Sequence, residues 1–278
     1  MISQFAGAVV RAVLVVVLIA TPSLMLPGVS ADTTQIVALV ALFAAALTFF
    51  EYASTYPGLV EFRDAPPFNR VRFVSLFLTV LLLAAVTRGR FDPTTLTLFV
   101  EALGGMIGDS IDFPYSPVRL VTLMLPDSTA EAHVSLVRTA AGISYMISLL
   151  TLAIFVILMR TMGWPSRSGS FNVWVNLPTF DPTTGGDVVE RLQRDARFNI
   201  ALGFLLPFMI PAVVKAASLA FQPVTLESPQ TLIWTMTAWA FLPASLFMRG
   251  IAMGRIAEMI IEKRRANSVD DDGALLAV

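Results

Sequence analysis

Residues 140–158 read AAGISYMISLLTLAIFVIL, and no charged side chain occurs between Arg138 and Arg160. A helix of this length measures about 28 Å at 1.5 Å per residue, close to the thickness of a bilayer's hydrocarbon core. Because lipid offers the backbone no hydrogen-bond partners, such a segment crosses a membrane as a helix. The stretch therefore predicts a transmembrane helix.

Five further segments share this apolar character. Hydrophobic residues make up 56% of the chain, charged residues 14%, and the mean hydropathy is +0.74, which is far from the composition of soluble domains. The six predicted spans are 9–26, 35–50, 71–87, 140–158, 200–221 and 232–248. We predict an all-α integral membrane protein, in which a bundle of six transmembrane helices and short amphipathic interfacial helices form one domain over residues 1–266.

The basic residues lie mostly on one side of these spans. Fourteen of the 19 Lys and Arg belong to the chain ends, the loop between spans two and three, and the loop between spans four and five. Four (Arg88, Arg90, Arg119 and Arg138) lie on the other side. The positive-inside rule predicts a multi-pass protein of the bacterial inner membrane with both termini in the cytoplasm. Nucleic-acid binding is not predicted, because the basic residues form no continuous stripe.

The N-terminal segment allows a second interpretation. Arg11, the apolar residues 12–20 and the small residues Val29-Ser30-Ala31 are also typical of a cleaved signal peptide, which would leave five spans. We favour a retained span, because the apolar run continues to Leu26 and is longer than the core of an ordinary signal peptide.

The outer loop, residues 88–139, contains a predicted helix. Asp92 resembles a helix cap, and apolar residues recur at helical spacing over Pro93–Ile107. This helix either lies on the membrane surface or enters the bilayer as a re-entrant segment.

The inner loop, residues 160–199, contains two predicted elements. Apolar and polar residues alternate over 171–177, which predicts an extended, strand-like piece. Asp187 followed by Glu190 is a capping pattern that predicts a helix over 188–197. The acidic tail, residues 267–278, is predicted to be disordered.

Residues suited to catalysis or cofactor binding are few. The chain has no cysteine, and its one histidine, His133, is predicted to lie outside the membrane, where it cannot hold an intramembrane haem or bacteriochlorophyll. We predict no catalytic residue, no cofactor and no metal. The outer-loop acids Glu101, Asp109 and Asp112 leave one alternative open, a membrane enzyme acting at the outer face.

Lys215 is the only basic residue well inside a predicted span, which makes it a functional candidate by default. Pro207 and Pro211 precede it and can bend the helix, and Trp239 lies near the middle of the last span. Together these four residues form a candidate ligand site for a small transporter or lipid-handling protein. In the other interpretation, Lys215 extends its stem to the headgroups from about 9 Å inside the membrane.

A second set of residues is suited to protein–protein contact. Gly250 and Gly254 form a Gly-x-x-x-Gly pattern that lets two helices approach closely, either within the bundle or against a partner. Trp164, Phe171 and Trp174 bring large apolar surfaces to the inner loop. These five residues are the predicted partner interface, and membrane lipids are the other predicted partners.

Four stretches resemble a family of six-span inner-membrane proteins of alphaproteobacteria of the Rhodobacter/Roseobacter type: residues 61–70 (EFRDAPPFNR), 111–119 (IDFPYSPVR), 171–178 (FNVWVNLP) and 238–243 (AWAFLP). The chain is also similar to the multi-span accessory subunit of purple-bacterial reaction-centre/light-harvesting 1 supercomplexes. The resemblance implies a non-catalytic subunit that docks on light-harvesting and reaction-centre polypeptides, stabilises the opening of the antenna ring and keeps a quinone path open.

Overall fold

The computed structural model describes residues 2–165, 171–181, 183, 185–218, 220–221 and 224–275, without the side chains of residues 2, 3, 174 and 268–275. The described chain is helical and contains no strand. Its helices are α1 (Ile2–Met25), α2 (Ala31–Ala53), α3 (Phe68–Gly89), α4 (Thr95–Ile111), α5 (Pro117–Met124), α6 (Glu131–Thr161), α7 (Val173–Asn176), α8 (Val188–Ala217) and α9 (Pro229–Leu275).

Six of these helices (α1, α2, α3, α6, α8 and α9) are long and apolar enough to cross a membrane, which confirms the predicted fold class. Four of them (α2, α3, α6 and α9) contain a predicted span whole, whereas α1 and α8 end at Met25 and Ala217, before the predicted ends at 26 and 221. The helices extend beyond the spans at their polar ends, because local capping and the absence of breakers carry the helix past the apolar stretch. Asp187, for example, accepts a hydrogen bond from the Val189 backbone N–H at 3.1 Å and starts α8, as its capping pattern predicts.

The helix of the outer loop begins two residues later than predicted. Thr94 caps α4, because its hydroxyl accepts from the Thr97 N–H at 3.2 Å while the Thr97 hydroxyl accepts from the Thr94 N–H at 2.8 Å. Asp92 instead pairs with Arg88 at 3.0 Å. Gly104 and Gly105 do not weaken the end of α4, which continues to Ile111.

The strand-like interpretation of residues 171–177 is wrong. The chain forms the short helix α7, which begins with the Asn172 side chain accepting from the Val175 N–H. Asn176 then binds the preceding connection, since its side-chain oxygen accepts from the Asp64 N–H at 3.0 Å and its carbonyl from the Phe62 N–H at 2.7 Å. These asparagine hydrogen bonds compete successfully with an extended backbone.

Helix α9 is the longest of the described helices, with 47 residues, and the disorder predicted for residues 267–278 stays a prediction. Helix α9 continues through Leu275, and residues 276–278 lie outside the described chain. No proline follows Pro243 in α9, so the chain contains no strong breaker to end the helix at the membrane surface.

The core has two parts. One lies between α3, α5, α6 and α9 and includes the end of α1. The other lies at the end of the bundle that carries the α2–α3 connection, α7 and the start of α8. We call that end the basic face, because it is the side on which the sequence concentrates Lys and Arg. The end with α4, α5 and the α8–α9 connection is the opposite face.

Candidate functional site: the α1–α2 hairpin and the polar groups of the two faces

The outer-loop acids are held by basic side chains. Asp112 is almost buried and lies 2.9 Å from both Arg119 Nε and Arg138 Nε. Glu101 pairs with Arg90 at 3.0 Å, and Asp109 lies 3.5 Å from Arg138. These ion pairs connect the segments of the outer loop to one another. The three acids therefore have a structural role in the outer loop, as partners of arginines.

Lys215 lies in the last turn of α8, not well inside the span, because α8 ends at Ala217. Its Nζ donates to the Leu125 carbonyl oxygen at 3.3 Å and lies 3.6 Å from an Asp127 carboxylate oxygen. The side chain is 44% exposed. Lys215 thus extends toward the membrane surface, as the headgroup interpretation describes. The interpretation of Lys215 as part of a ligand site required a charge in the middle of the membrane, and the structure places no charge of Lys215 there.

The other three residues of the candidate ligand site are Pro207, Pro211 and Trp239. They lie together, but they pack against one another. Pro211 has no N–H, so the carbonyl of Pro207 lacks its usual donor four residues later. The Trp239 indole donates to that carbonyl at 3.1 Å and is almost fully buried. The two prolines and the tryptophan therefore join α8 to α9.

Most of the predicted partner interface lies inside the protein. Trp164 is 2% exposed, donates to the Ala65 carbonyl at 3.0 Å and packs among phenylalanine rings. A side chain on Gly250 would meet the Ala196 carbonyl at 2.7 Å, and Gly254 faces the same residue of α8. Phe171 packs at the edge of the basic-face core, and the Trp174 side chain lies outside the described atoms.

His133 lies on the opposite face, where its Nε2 bonds to the Thr225 carbonyl at 2.9 Å. The described residues contain no group of three or more side chains that could hold a metal ion.

The α1–α2 hairpin is the surface that sequence analysis missed. Among the helices of the described chain, α2 packs against α1 alone. Only 6% of its most apolar stretch is buried, compared with 50% for α9. Its apolar side chains therefore point away from the protein; the largest exposures are those of Ile36, Leu39, Leu42, Phe43 and Phe50. The sequence contains the signal, since residues 36–47 carry no polar side chain on any side of the helix.

Hydrogen bonds order the base of the hairpin and the connection that follows it. Gln4 donates to carbonyls at the end of α2, and the Arg63 guanidinium donates to the Ser54 carbonyl at 2.7 Å. The Glu51 carboxylate accepts from three consecutive backbone N–H groups, those of residues 58–60. Helix α2 is thus the outlying member of the hairpin, whereas α1 also packs against α3 and α9.

No family model, curated protein or solved structure matches this chain.

Proposed function

We propose that this protein is a non-catalytic subunit of a larger membrane assembly and that it docks through the outward face of the α1–α2 hairpin. The observation that carries the proposal is the one-sided packing of α2. Helices in lipid associate by close van der Waals packing rather than by the hydrophobic effect. A helix with a single neighbour leaves most of its surface available for such packing with helices of another protein.

The polar groups support the same role. The carboxylates of Asp112, Glu101 and Asp109 form ion pairs with arginines. Lys215 donates a hydrogen bond to the α5–α6 connection. These interactions hold the loops of the opposite face in place. A docking subunit needs such fixed loops, because a partner binds a preorganised surface at lower entropic cost.

The resemblance described above suggests one host for this subunit, a reaction-centre/light-harvesting complex of the bacterial inner membrane. In that host the outlying α2 would face antenna helices beside the opening of the ring. The termini would then lie in the cytoplasm, as the distribution of Lys and Arg predicts.

The test is purification of the tagged full-length protein in mild detergent. The mass of the purified complex, the identity of co-purifying polypeptides by mass spectrometry, and the absorption spectrum are then measured. The double variant Leu39→Ala/Phe43→Ala removes two large side chains, 69% and 67% exposed, from one stripe of α2. We expect its affinity for the partner to fall at least about tenfold, because interface anchors carry most of the binding energy.

The matched control is Ile154→Ala/Ile157→Ala on α6, where the two side chains are 49% and 58% exposed. We expect this variant to co-purify with the same partner in the same ratio as the wild type. Bacteriochlorophyll absorption in the complex would identify the photosynthetic host, and a colourless complex would exclude it while keeping the docking role. Recovery of the wild type as a free monomer would refute the proposal.

A further inference from the structure

A pocket opens at the basic face, at the base of the hairpin. Its volume is about 490 Å³, within the range of small-molecule sites. The start of α1, the end of α2, the α2–α3 connection and α7 line it, and two arginines (Arg11 and Arg63) and one aspartate (Asp64) provide its charges. The lining is therefore positively charged.

One of these arginines has a structural task already. Arg63 pairs with Asp64 at 3.1 Å, and its remaining nitrogens donate to carbonyls of residues 51, 54 and 55. Its charge is offset by Asp64, and its donors close the end of α2. Arg63 thus forms part of the pocket wall, and most of its N–H donors are already used within the protein.

Arg11 is different, because no carboxylate of the described residues lies within ion-pair distance of it. One terminal nitrogen donates to the Gly7 carbonyl at 2.8 Å, and the guanidinium lies 4.5 Å from the centre of the Tyr52 ring. A guanidinium has five N–H donors, so these neighbours leave donors available on the pocket side.

Arg11 lies within the apolar helix α1, and its guanidinium is directed toward the start of the helix. It lies nine residues after Ile2, about 14 Å along the helix, and its side chain turns back one helical turn to Gly7. Glycine makes this possible, since a side chain at residue 7 would come within 2.8 Å of the guanidinium. Leu14 follows Arg11 by three residues, so it lies next to Arg11 on the helix surface, and it is 41% exposed.

We propose that this pocket binds the phosphate of an anionic phospholipid headgroup, with Arg11 as its principal charged contact and an acyl chain along Leu14. Arginine suits this role because its planar fork binds phosphate oxygens through two parallel hydrogen bonds. The site involves no residue of the α2 docking stripe, and its binding of lipid is independent of whether the hairpin meets a partner protein.

The test is native mass spectrometry of the full-length protein in mild detergent, titrated with phosphatidylglycerol or with zwitterionic phosphatidylcholine. Both lipids carry a phosphate, but we expect the first to bind about tenfold more tightly, because the positively charged lining repels the choline cation of the second. Arg11→Gln should abolish this preference. Arg70→Gln removes an exposed charge from the same face that forms no ion pair in the described chain, and it should retain the preference.

Two further arms separate the remaining outcomes. Arg11→Lys keeps the charge without the fork and should bind phosphatidylglycerol with intermediate affinity, which also provides a folded variant if Arg11→Gln is unstable. Inorganic phosphate at millimolar concentration should leave the lipid bound, and displacement of the lipid would reassign the pocket to a free anion. An unchanged preference in Arg11→Gln, or no preference in the wild type, would overturn the proposal.

Discussion

Single side chains compensate for backbone groups that the sequence leaves without partners. The clearest case is the α8–α9 contact, where Pro211 deprives the Pro207 carbonyl of its helical donor and the Trp239 indole replaces it at 3.1 Å. Without that donor the carbonyl would be a buried, unsatisfied acceptor, whose cost exceeds the gain of an ordinary hydrogen bond. Proline in the middle of a membrane helix is tolerated here because a neighbouring helix supplies the donor.

We expect Trp239→Phe to lower the free energy of unfolding by about 1–3 kcal/mol, because the Pro207 carbonyl then stays buried without a donor. Thermal unfolding in detergent measures the change. Trp234→Phe is the control, since the Trp234 indole donates no hydrogen bond within the described chain. In a Pro211→Ala background, which restores a backbone donor, the cost of Trp239→Phe should shrink; an equal cost in both backgrounds would contradict this account.

We expect the stability of the start of α8 to depend on pH, through the carboxylate of Asp187. Hydrogen bonds from Arg264, at 2.9 and 3.1 Å, and from the Val189 N–H lower the pKa of Asp187 below its usual value of 3.8. Because the pKa is lower in the folded state, the contribution of Asp187 to stability is present above the unfolded pKa and is lost as the pH falls through the folded pKa.

Asp187→Asn keeps a good helix cap but removes the charge. We expect its melting temperature to lie below that of the wild type at pH 7 and to converge with it as the pH approaches 3. Glu190→Gln, which removes an exposed acid one turn along α8, should show no such convergence. A difference between Asp187→Asn and wild type that stays constant from pH 7 to 3 would refute the linkage.

Helices approach one another where glycines remove side chains from both surfaces. Helix α4 crosses α6 at Gly108 and Gly142, where a side chain on Gly142 would come within 2.5 Å of the Gly108 Cα atom. Gly104 faces Ile143 and Thr139 of α6 in the same way. These contacts explain why the glycines of α4 do not end the helix: their lack of side chains allows close packing against α6 that outweighs their poor helix propensity.

We expect Gly142→Ala to lower stability by about 1–3 kcal/mol, because the two backbones must separate to admit a methyl group. Gly105→Ala should instead be neutral or stabilising by up to about 1 kcal/mol, since the nearest atom to its new side chain is 4.0 Å away and alanine favours helix. Chemical or thermal unfolding of both variants in one detergent compares them, and equal losses would contradict the crossing geometry.

At the scale of the whole molecule, one ion pair connects the α2–α3 connection to the end of the last span. The Glu61 carboxylate accepts from Arg249 Nε at 2.6 Å and Nη2 at 2.9 Å, although the two residues are 188 positions apart. Thr179 donates to the same carboxylate at 2.6 Å. The pair is mostly buried, so each charge needs the other as its partner. Through Glu61, Arg249 and Thr179 these contacts connect three separate segments of the basic face.

Glu61→Ala should lower the free energy of unfolding by about 1–3 kcal/mol, because it leaves a mostly buried guanidinium without its partner. The double variant Glu61→Ala/Arg249→Ala should lose less than the sum of the two single variants, since neither charge is then left alone. Unfolding of the four proteins gives the coupling. Additive losses would show that the two residues contribute separately.

Much of the fold could be predicted from local sequence, and much of the candidate site could not. The six apolar segments predict six helices correctly, and the Asp187 pattern predicts the start of α8. The alternation over residues 171–177 predicts the wrong element, because the asparagine hydrogen bonds to residues 62 and 64 involve a distant part of the chain. Trp164 and Gly250, predicted to meet a partner, meet other segments of the same protein.

The sequence by itself determined six helices that are long and apolar enough to cross a membrane, because a bilayer provides no partner for backbone groups and makes a long apolar segment a helix wherever it occurs. Only the tertiary structure decided where each helix stands. It places α2 at the edge with α1 as its single helical neighbour, and it brings Glu61 to Arg249 and Arg11 to Tyr52. These outcomes depend on which surfaces of distant segments fit together, and in lipid, where every apolar surface is equally well solvated, hydropathy alone does not distinguish a surface that packs from one that stays exposed.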